Sequence, residues 1–467
     1  MTILMALRSF AAQPVRSAVL ACGFGLGIAC MAGLLGVGEV ILEQSRSPSL
    51  AGGGDLVIYG AAGPVPNARF ITSQLSSTPA LAERVIAASP SLDATVYLVE
   101  PGTAPLALRA RGAIPSLERA LGKPESPDVA SWRDAPSDRS WSDPAPEELI
   151  RAMDRFHAVP DLPARAASWA EWLYFNGRAN GTGFYLSFVV GPASAPDRRR
   201  ARVRLELERE GSTVGFSDEA EISAQALLAS APDLRVGGSR VELDGMRYRI
   251  TLALYAEGRP RRPSAPDLTG QITLDAVAGR SLPPFEISGA GGWVSGYVVP
   301  VLAGPLGGEL VTRDAVLPLD GGTGYHDHNW GFWDGVTWQW GQVATEDLSF
   351  VYGRIRPPAD AADAELVPGF LIALGPHGPL AFASEVTIEE RDDPSTGRPR
   401  SIHVTAEAEA LSLVMQLAVE RTVATGSRSG ARGEFLQLRA RYEVRGNLGS
   451  REVRFEASGS AETFRGG

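Results

Sequence analysis

Residues 201–210 read Ala-Arg-Val-Arg-Leu-Glu-Leu-Glu-Arg-Glu, with apolar and charged side chains alternating up to Glu208. Successive side chains of a β-strand point to opposite faces, so this pattern predicts a strand with one buried face. The same alternation recurs over Phe184–Val190, and Asp244-Gly245 between two apolar runs is typical of a two-residue hairpin turn. Many short strands with glycine turns, and almost no helical pattern, favour antiparallel barrels or sandwiches in the C-terminal part.

Length and composition set further limits. The 467 residues carry 44 Lys and Arg against 54 Asp and Glu, a net charge of −10. This acidic balance argues against a general nucleic-acid binder, and the 44% hydrophobic share excludes wholesale disorder. Both cysteines, Cys22 and Cys30, lie in the apolar N-terminal run, which excludes thiolate catalysis and thiolate zinc sites elsewhere in the chain.

The N-terminus has the pattern of a membrane segment. No charged residue occurs over Ser17–Gly38, and a helix of this length would cross the roughly 30 Å hydrocarbon core. Arg8 and Arg16 precede the run and Glu39 follows it, which places the N-terminus in the cytoplasm. We predict an uncleaved, single-pass inner-membrane anchor over residues 1–46, with the soluble part periplasmic. A cleaved signal peptide is the alternative.

Two segments separate this anchor from the β-rich part. Residues 47–122 mix short apolar runs with one helical pattern and predict a small α/β segment, and residues 123–148 form a Pro-rich linker. Ala6–Ser9, the glycine-rich apolar run and Ala88–Ser91 resemble the start of a MacB/FtsX-type ABC permease. The resemblance implies ABC transporter subunits as partners. No second long apolar window occurs, so the chain alone is not a permease.

One stretch concentrates the residues that can carry chemistry. Residues 324–331 read Gly-Tyr-His-Asp-His-Asn-Trp-Gly, and Trp338-Gln339-Trp340 follows. As a strand, this stretch would aim a phenol, a carboxylate and an amide to one face, those of Tyr325, Asp327 and Asn329. The other face would carry His326, His328 and Trp330.

Less specific interpretations of this stretch remain. The spacing of His326 and His328 would allow a metal, but a catalytic zinc site usually takes three protein ligands, so we predict no metal and hydrogen-bonded histidines. Asp327 could satisfy loop amides at a barrel mouth, and the tryptophans could pack in a core. No Gly-x-Ser-x-Gly motif occurs, so a hydrolase is poorly supported.

The central motif Gly324-Tyr325-x-Asp327-x-Asn329-x-Gly331, with Trp338-x-Trp340, resembles the carotenoid 1,2-hydratase (hydroxyneurosporene synthase) family and the related AttH-type group. Upstream, Glu171–Gly177 resembles the Glu-Trp-Trp-Tyr opening strand of that group, with Leu173 at the second tryptophan. Trp293 and Tyr297–Pro300 match an aromatic-then-proline segment. The resemblance spans Ser168–Gly467. It implies two lipocalin-like antiparallel β-barrels, over residues 149–331 and 332–467, that meet near the central motif.

The resemblance also implies an activity, the acid-catalysed addition of water to a C=C bond of an apolar polyene or terpenoid, or its isomerisation. Asp327 would be the acid and Tyr325 would orient either this acid or the water, without a cofactor. The implied contacts to an apolar small molecule are Trp293, Asn329, Trp338, Trp340, Glu171, Tyr174, His326 and His328.

A second function from another class stays open. The anchor and the permease-like segment are absent from typical hydratases, and they suggest a non-catalytic module that binds a lipid or another hydrophobic ligand beside an ABC transporter.

Overall fold

The computed structural model describes residues 56–58, 65, 68–77, 84–99, 105–121, 133–142, 144–209, 211–258, 265–278, 280–376, 378–424 and 433–466. The predicted membrane anchor, residues 1–46, lies outside these residues. Within the described ranges, no helix is both long enough and apolar enough to cross a bilayer. The described residues belong to two compact units, one within Met1–Val65 and Val85–Arg139 and the other within Pro66–Arg84 and Ser140–Gly467.

Helices are short in the described part of the chain. They are α1 (Ala68–Ser77), α2 (Pro115–Ala120), α3 (Pro136–Ser142), α4 (Pro146–Met153) and α5 (Ala224–Ser230). Proline occupies the first turn of α2 and α4, where its missing N–H has no intrahelical partner to lose. The Ser223 side chain caps α5 by accepting a hydrogen bond from the Ala226 N–H.

The first unit contains a β-hairpin, in which β1 (Ser91–Leu98) pairs antiparallel with β2 (Leu106–Ala113). Val96 pairs with Leu108 on its apolar face, and Asp93 pairs with Arg111 on its polar face. Helix α2 follows the hairpin directly. The predicted α/β segment therefore holds a two-stranded ribbon and one short helix among its described residues.

A closed antiparallel barrel dominates the second unit. Eight strands pair in the ring order β10-β12-β14-β3-β4-β5-β6-β9, and β9 pairs back onto β10. Short strands extend its margin. The strands of this sheet are β3 (Trp169–Ala179), β4 (Thr182–Ala195), β5 (Arg198–Arg209), β6 (Ser212–Ser223), β7 (Leu234–Val236), β8 (Ser239–Asp244), β9 (Arg247–Ala256), β10 (Leu268–Asp275), β11 (Leu282–Ser288), β12 (Val294–Thr312), β13 (Val316–Pro318) and β14 (Gly322–Phe332).

The second sheet has nine antiparallel strands and curls into a nearly closed barrel. Its order is β18-β17-β16-β15-β23-β22-β21-β20-β19. The strands are β15 (Thr337–Ala344), β16 (Ser349–Arg356), β17 (Phe370–Gly375), β18 (Gly378–Ala383), β19 (Glu385–Asp392), β20 (Pro399–Ala408), β21 (Leu411–Ala424), β22 (Gly433–Leu448) and β23 (Arg451–Gly466). The expectation of a mainly β chain with two barrel-like sheets is confirmed.

The predicted alternation in β5 holds for the apolar face but fails on its polar face. Leu205 and Leu207 are buried as expected, yet Glu206 and Glu208 are also only 6% and 5% exposed. The second barrel covers the strand at Glu208, where Arg439 donates to Oε1 at 2.9 Å, whereas Glu206 accepts from Arg204 of its own strand at 2.6 Å. Glu208 would meet solvent in an isolated barrel, but here an arginine of the second barrel covers it and pairs with it.

Each barrel has its own apolar core, and a third cluster of buried side chains joins them. Aromatic and aliphatic residues from both barrels form this contact layer, among them Tyr174, Tyr325, Trp340, Val351 and Val423. Burial of apolar area contributes about 25 cal/mol per Å². The contact layer therefore holds the two barrels together and fixes the positions of the side chains between them.

Candidate active site

Strand β14 forms the wall between the interior of the first barrel and the contact layer. It pairs with β3 on one side and β12 on the other. His326 faces the barrel interior, where its ring stacks on Phe175 with centroids 4.0 Å apart. Tyr325 faces the second barrel and lies 5.1 Å from the Trp340 ring. The alternation predicted from the sequence thus places the Tyr325 and His326 side chains on opposite faces of β14.

Asp327 is held in the contact layer by its neighbours on the same strand face. The Tyr325 hydroxyl donates to Asp327 Oδ2 at 2.8 Å, and Asn329 Nδ2 donates to Oδ1 at 2.7 Å. Its partners are side chains rather than loop amides. Burial raises the pKa of Asp327 to about 7, although both hydrogen bonds act to lower it. The carboxyl group can therefore give or take a proton near neutral pH.

A cleft with a cavity volume of about 80 Å³ adjoins the Asp327 carboxyl group. Both barrels contribute to its walls, which are mainly apolar and include six aromatic side chains. The aromatic lining residues are Phe285, Tyr297, Trp333, Trp338, Trp340 and Phe370. The polar lining residues are Ser295, Asp327, Asn329, Gln339, Arg354 and Glu462. Such a cleft, apolar with a few convergent polar groups, has the character of a small-molecule site.

Glu462 is a second carboxyl group in this cleft, and the sequence pattern did not predict it. It lies on β23 directly opposite Trp340 of β15 and is 8% exposed. Burial and the nearby Asp327 charge raise the pKa of Glu462 well above its usual range. Ser458, Ser460 and Glu462 alternate as polar residues, which in one sequence is typical of a solvent-facing strand. Only the packing of the two barrels buries this position.

Tyr174 does not line the cleft but joins the two barrels beneath it. Its hydroxyl donates to Gln437 Oε1 at 3.1 Å and accepts from Asn176 Nδ2 at 3.3 Å. Gln437 lies on β22 next to Glu462 and is 2% exposed. Tyr174 therefore links the first barrel to the second through a buried hydrogen bond.

Replacing Tyr174 with Phe should lower the free energy of unfolding by about 1–3 kcal/mol, because the buried Gln437 amide loses its donor. Urea unfolding followed by tryptophan fluorescence would measure this change. Tyr97→Phe is the matched control, since Tyr97 is 64% exposed and should tolerate the same deletion. Equal stability of both variants would show that this hydrogen bond does not hold the barrels together.

A buried charged network occupies the opposite face of β14. Asp154, which follows α4, accepts from His328 Nδ1 at 2.7 Å, from His326 Nε2 at 3.1 Å and from the Tyr248 hydroxyl at 2.6 Å. His328 Nε2 also contacts Glu171 Oε1 at 3.0 Å. Burial disfavours the charged form of His328, but its contacts with two carboxylates outweigh burial and raise its pKa to about 9.

One part of this network offers a donor set of the kind that metals use. Ligand atoms of His157, Glu171 and His328 lie within 4.8 Å of one another. His157 Nδ1 and His328 Nε2 approach the same Glu171 oxygen at 2.8 and 3.0 Å. Two ligands of a tetrahedral zinc ion would lie roughly 3.3 Å apart, since each sits about 2.0 Å from the metal. The observed contacts of 2.8 and 3.0 Å have the length of hydrogen bonds.

The predicted substrate contacts therefore fall into three places. Asn329, Trp338 and Trp340 line the cleft with Asp327. Tyr174 lies in the contact layer. The remaining residues, Glu171, His326, His328 and Trp293, lie on the first-barrel side of β14, away from the cleft lining. Trp293 is fully buried there, and its Nε1 donates to the Phe332 carbonyl at 2.9 Å.

Comparison with known proteins gives structural likeness only. No family model matches the chain, and neither does any curated protein. Among solved structures, a protein assigned as an AttH from Nitrosomonas europaea is 16% identical and has a TM-score of 0.43, covering 66% of this chain and 96% of its own. Kievitone hydratase from Nectria haematococca is 12% identical with a TM-score of 0.43, covering 67% and 94%. CghA with Sch210972 is 12% identical with a TM-score of 0.41, covering 68% and 95%.

Proposed function

We propose that the chain is an acid-catalysed hydratase that adds water to, or isomerises, a C=C bond of an apolar polyene or terpenoid. The observation that carries this proposal is the Asp327 carboxyl group, 4% exposed beside an aromatic cleft, with a pKa of about 7. A carboxyl group with a pKa near neutrality can give or take a proton at physiological pH, as the acid-catalysed addition of water requires.

The aromatic walls support the same chemistry. Protonation of an isolated alkene produces a carbocation, which the negative face of an aromatic ring attracts by about 2 kcal/mol when water is excluded. Trp338 and Trp340 lie on β15 and line the cleft with Asp327. The cation would form between these rings and the carboxyl groups, which stabilise positive charge from different sides.

The cleft also favours an apolar substrate. Phe285 is 51% exposed and lines the cleft together with Phe370, with ring centroids 6.3 Å apart. An exposed aromatic side chain at the edge of a cleft offers apolar surface to a ligand that extends beyond it. A terpenoid would place one terminal double bond beside Asp327 and the rest of its chain along these rings.

Oxygen-18-labelled water provides the test. The purified chain is incubated with an isoprenoid lipid extract in labelled water, and the extract is analysed by mass spectrometry. The proposal predicts at least one new compound heavier than a parent alkene by one labelled water molecule. A reaction in heavy water would detect isomerisation as deuterium bound to carbon. Binding of a lipid without either label would favour the alternative, a non-catalytic module for hydrophobic ligands.

We propose in addition that residues 1–46 tether this activity to the inner membrane, with ABC transporter subunits as partners. This proposal rests on the sequence alone, on the uncharged run Ser17–Gly38 and the permease-like segment. A tether would keep the cleft near a lipophilic substrate. Membrane fractionation of the full chain, and of a chain that begins at residue 47, would test it.

A further inference from the structure

We propose that Glu462 is the proton donor of this site and that the Asp327 carboxylate is the group that deprotonates the attacking water. This inference rests on the proposed hydratase function and assigns separate roles to its two carboxyl groups. Both groups line one cleft, Asp327 from β14 of the first barrel and Glu462 from β23 of the second. The cleft is therefore complete only when the two barrels are packed together.

The hydrogen-bond donors around the two groups differ. Asp327 accepts one bond to each oxygen, from the Tyr325 hydroxyl at 2.8 Å and from Asn329 Nδ2 at 2.7 Å. Both bonds favour the ionised form of Asp327. Glu462 has the Trp338 indole as its hydrogen-bonding partner. When two carboxyl groups share a site, the one with fewer donors keeps the proton.

The charges around the site support this assignment. The pKa of Asp327 rises only to about 7, whereas burial and the Asp327 charge raise the pKa of Glu462 well above its usual range. Across the strand, the His328 imidazolium favours an ionised Asp327 and Asp154 opposes it. Arg354 also lines the cleft, and its guanidinium contacts Glu365 at 3.4 Å. Near neutral pH the pair thus holds one proton, located on Glu462.

The reaction balances with these roles. The Glu462 O–H bond breaks as its proton forms a C–H bond with the π electrons of the alkene, which leaves a cation on the neighbouring carbon. A water oxygen forms the C–O bond to that carbon, and Asp327 takes the proton that the water releases. Transfer of this proton from Asp327 to Glu462 restores the starting state. Overall, one alkene and one water molecule give one alcohol.

A stable analogue of the cation tests the assignment without knowledge of the substrate. N,N-Dimethylhexylamine is protonated at neutral pH and carries a tertiary ammonium on a short apolar chain. We expect the full chain to bind it by calorimetry at pH 8, and more weakly as Asp327 is protonated below about pH 7. Its neutral counterpart, 2-methyloctan-2-ol, should not show this pH dependence.

Two isosteric variants then locate the charge. Asp327→Asn should weaken ammonium binding at pH 8 by at least about 30-fold, because it removes the buried carboxylate. Glu462→Gln should change it by less than about threefold, because it replaces a neutral carboxylic acid with a neutral amide. Loss in Glu462→Gln alone, equal loss in both variants, or no ammonium binding by the unmodified chain would overturn the assignment.

Infrared spectroscopy gives a readout that does not depend on the ligand. The carbonyl stretch of a buried protonated carboxyl group should persist at pH 8 in Asp327→Asn and disappear in Glu462→Gln, and the opposite result would overturn the assignment. Circular dichroism confirms that both variants fold. Failure of the assignment would leave the labelled-water reaction intact, whereas failure of the proposed function would abolish that reaction in the unmodified chain.

Discussion

Replacing Asp327 with Asn is expected to lower the rate of hydration by about 10²–10⁴-fold, the range that one general acid or base contributes. An amide of the same size can neither hold an acidic proton nor accept one from water. It can still accept a hydrogen bond from Tyr325, so the local packing should survive. The rate of product formation in labelled water, measured with saturating alkene, would show the loss.

A matched control separates this effect from a general loss of carboxylates. Asp314 is exposed and lies in the turn between β12 and β13, so Asp314→Asn makes the same chemical change far from the cleft lining. It should leave turnover unchanged. Full turnover in Asp327→Asn would contradict the catalytic role of this carboxyl group. Retained binding of an apolar ligand with lost turnover would distinguish an enzyme from a carrier.

The central strand could be predicted from the sequence because side-chain alternation is a local property of an extended chain. The motif at residues 324–331 forms β14, with Tyr325 and Asp327 on one face and His326 and His328 on the other. The hairpin between β8 and β9 was also predicted, but its two turn residues are Gly245 and Met246 rather than Asp244 and Gly245, because Asp244 still pairs with Arg247. Gly245 has a φ of 61°, which glycine adopts without strain.

The second carboxyl group could not be predicted, because its burial depends on contacts between distant parts of the chain. Glu462 and Glu208 lie on strands whose polar faces would meet water in an isolated barrel. In the folded chain, the cleft encloses Glu462, and Arg439 of the second barrel pairs with Glu208 of the first. Alternation within one strand carries no information about which neighbouring sheet will cover it.

The Asp154 network shows a related limit. His326 and His328 were expected to form hydrogen bonds, but their partner Asp154 is separated from them by more than 170 positions along the chain. Asp154 follows a helix that ends at Met153, and nothing in its local pattern marks it as buried. The structure brings two carboxylates and an imidazolium together behind β14, where they support the strand that carries Asp327.

This network should make the stability of the chain depend on pH in a defined direction. His328 has a pKa of about 9 when folded, against about 6.5 when unfolded. Its contribution is therefore fully present below pH 6.5 and is lost as the pH rises through 9. The shift corresponds to about 3 kcal/mol of unfolding free energy. Asp154 acts oppositely, because its depressed pKa gives stability above about pH 4 that is lost as the pH falls.

His328→Gln should remove most of the decline in stability between pH 6.5 and 9, and should lower stability at pH 6.5 by about 3–5 kcal/mol, because Asp154 and Glu171 lose their shared cation. Urea unfolding at a series of pH values would measure both effects. His403→Gln, a half-buried histidine on β20, should keep the decline. A variant that retains the decline despite losing His328 would show that another group titrates. If the stability of the unmodified chain did not change between pH 6.5 and 9, His328 would be neutral. The charges behind Asp327 would then be those of Asp154 and Glu171 alone.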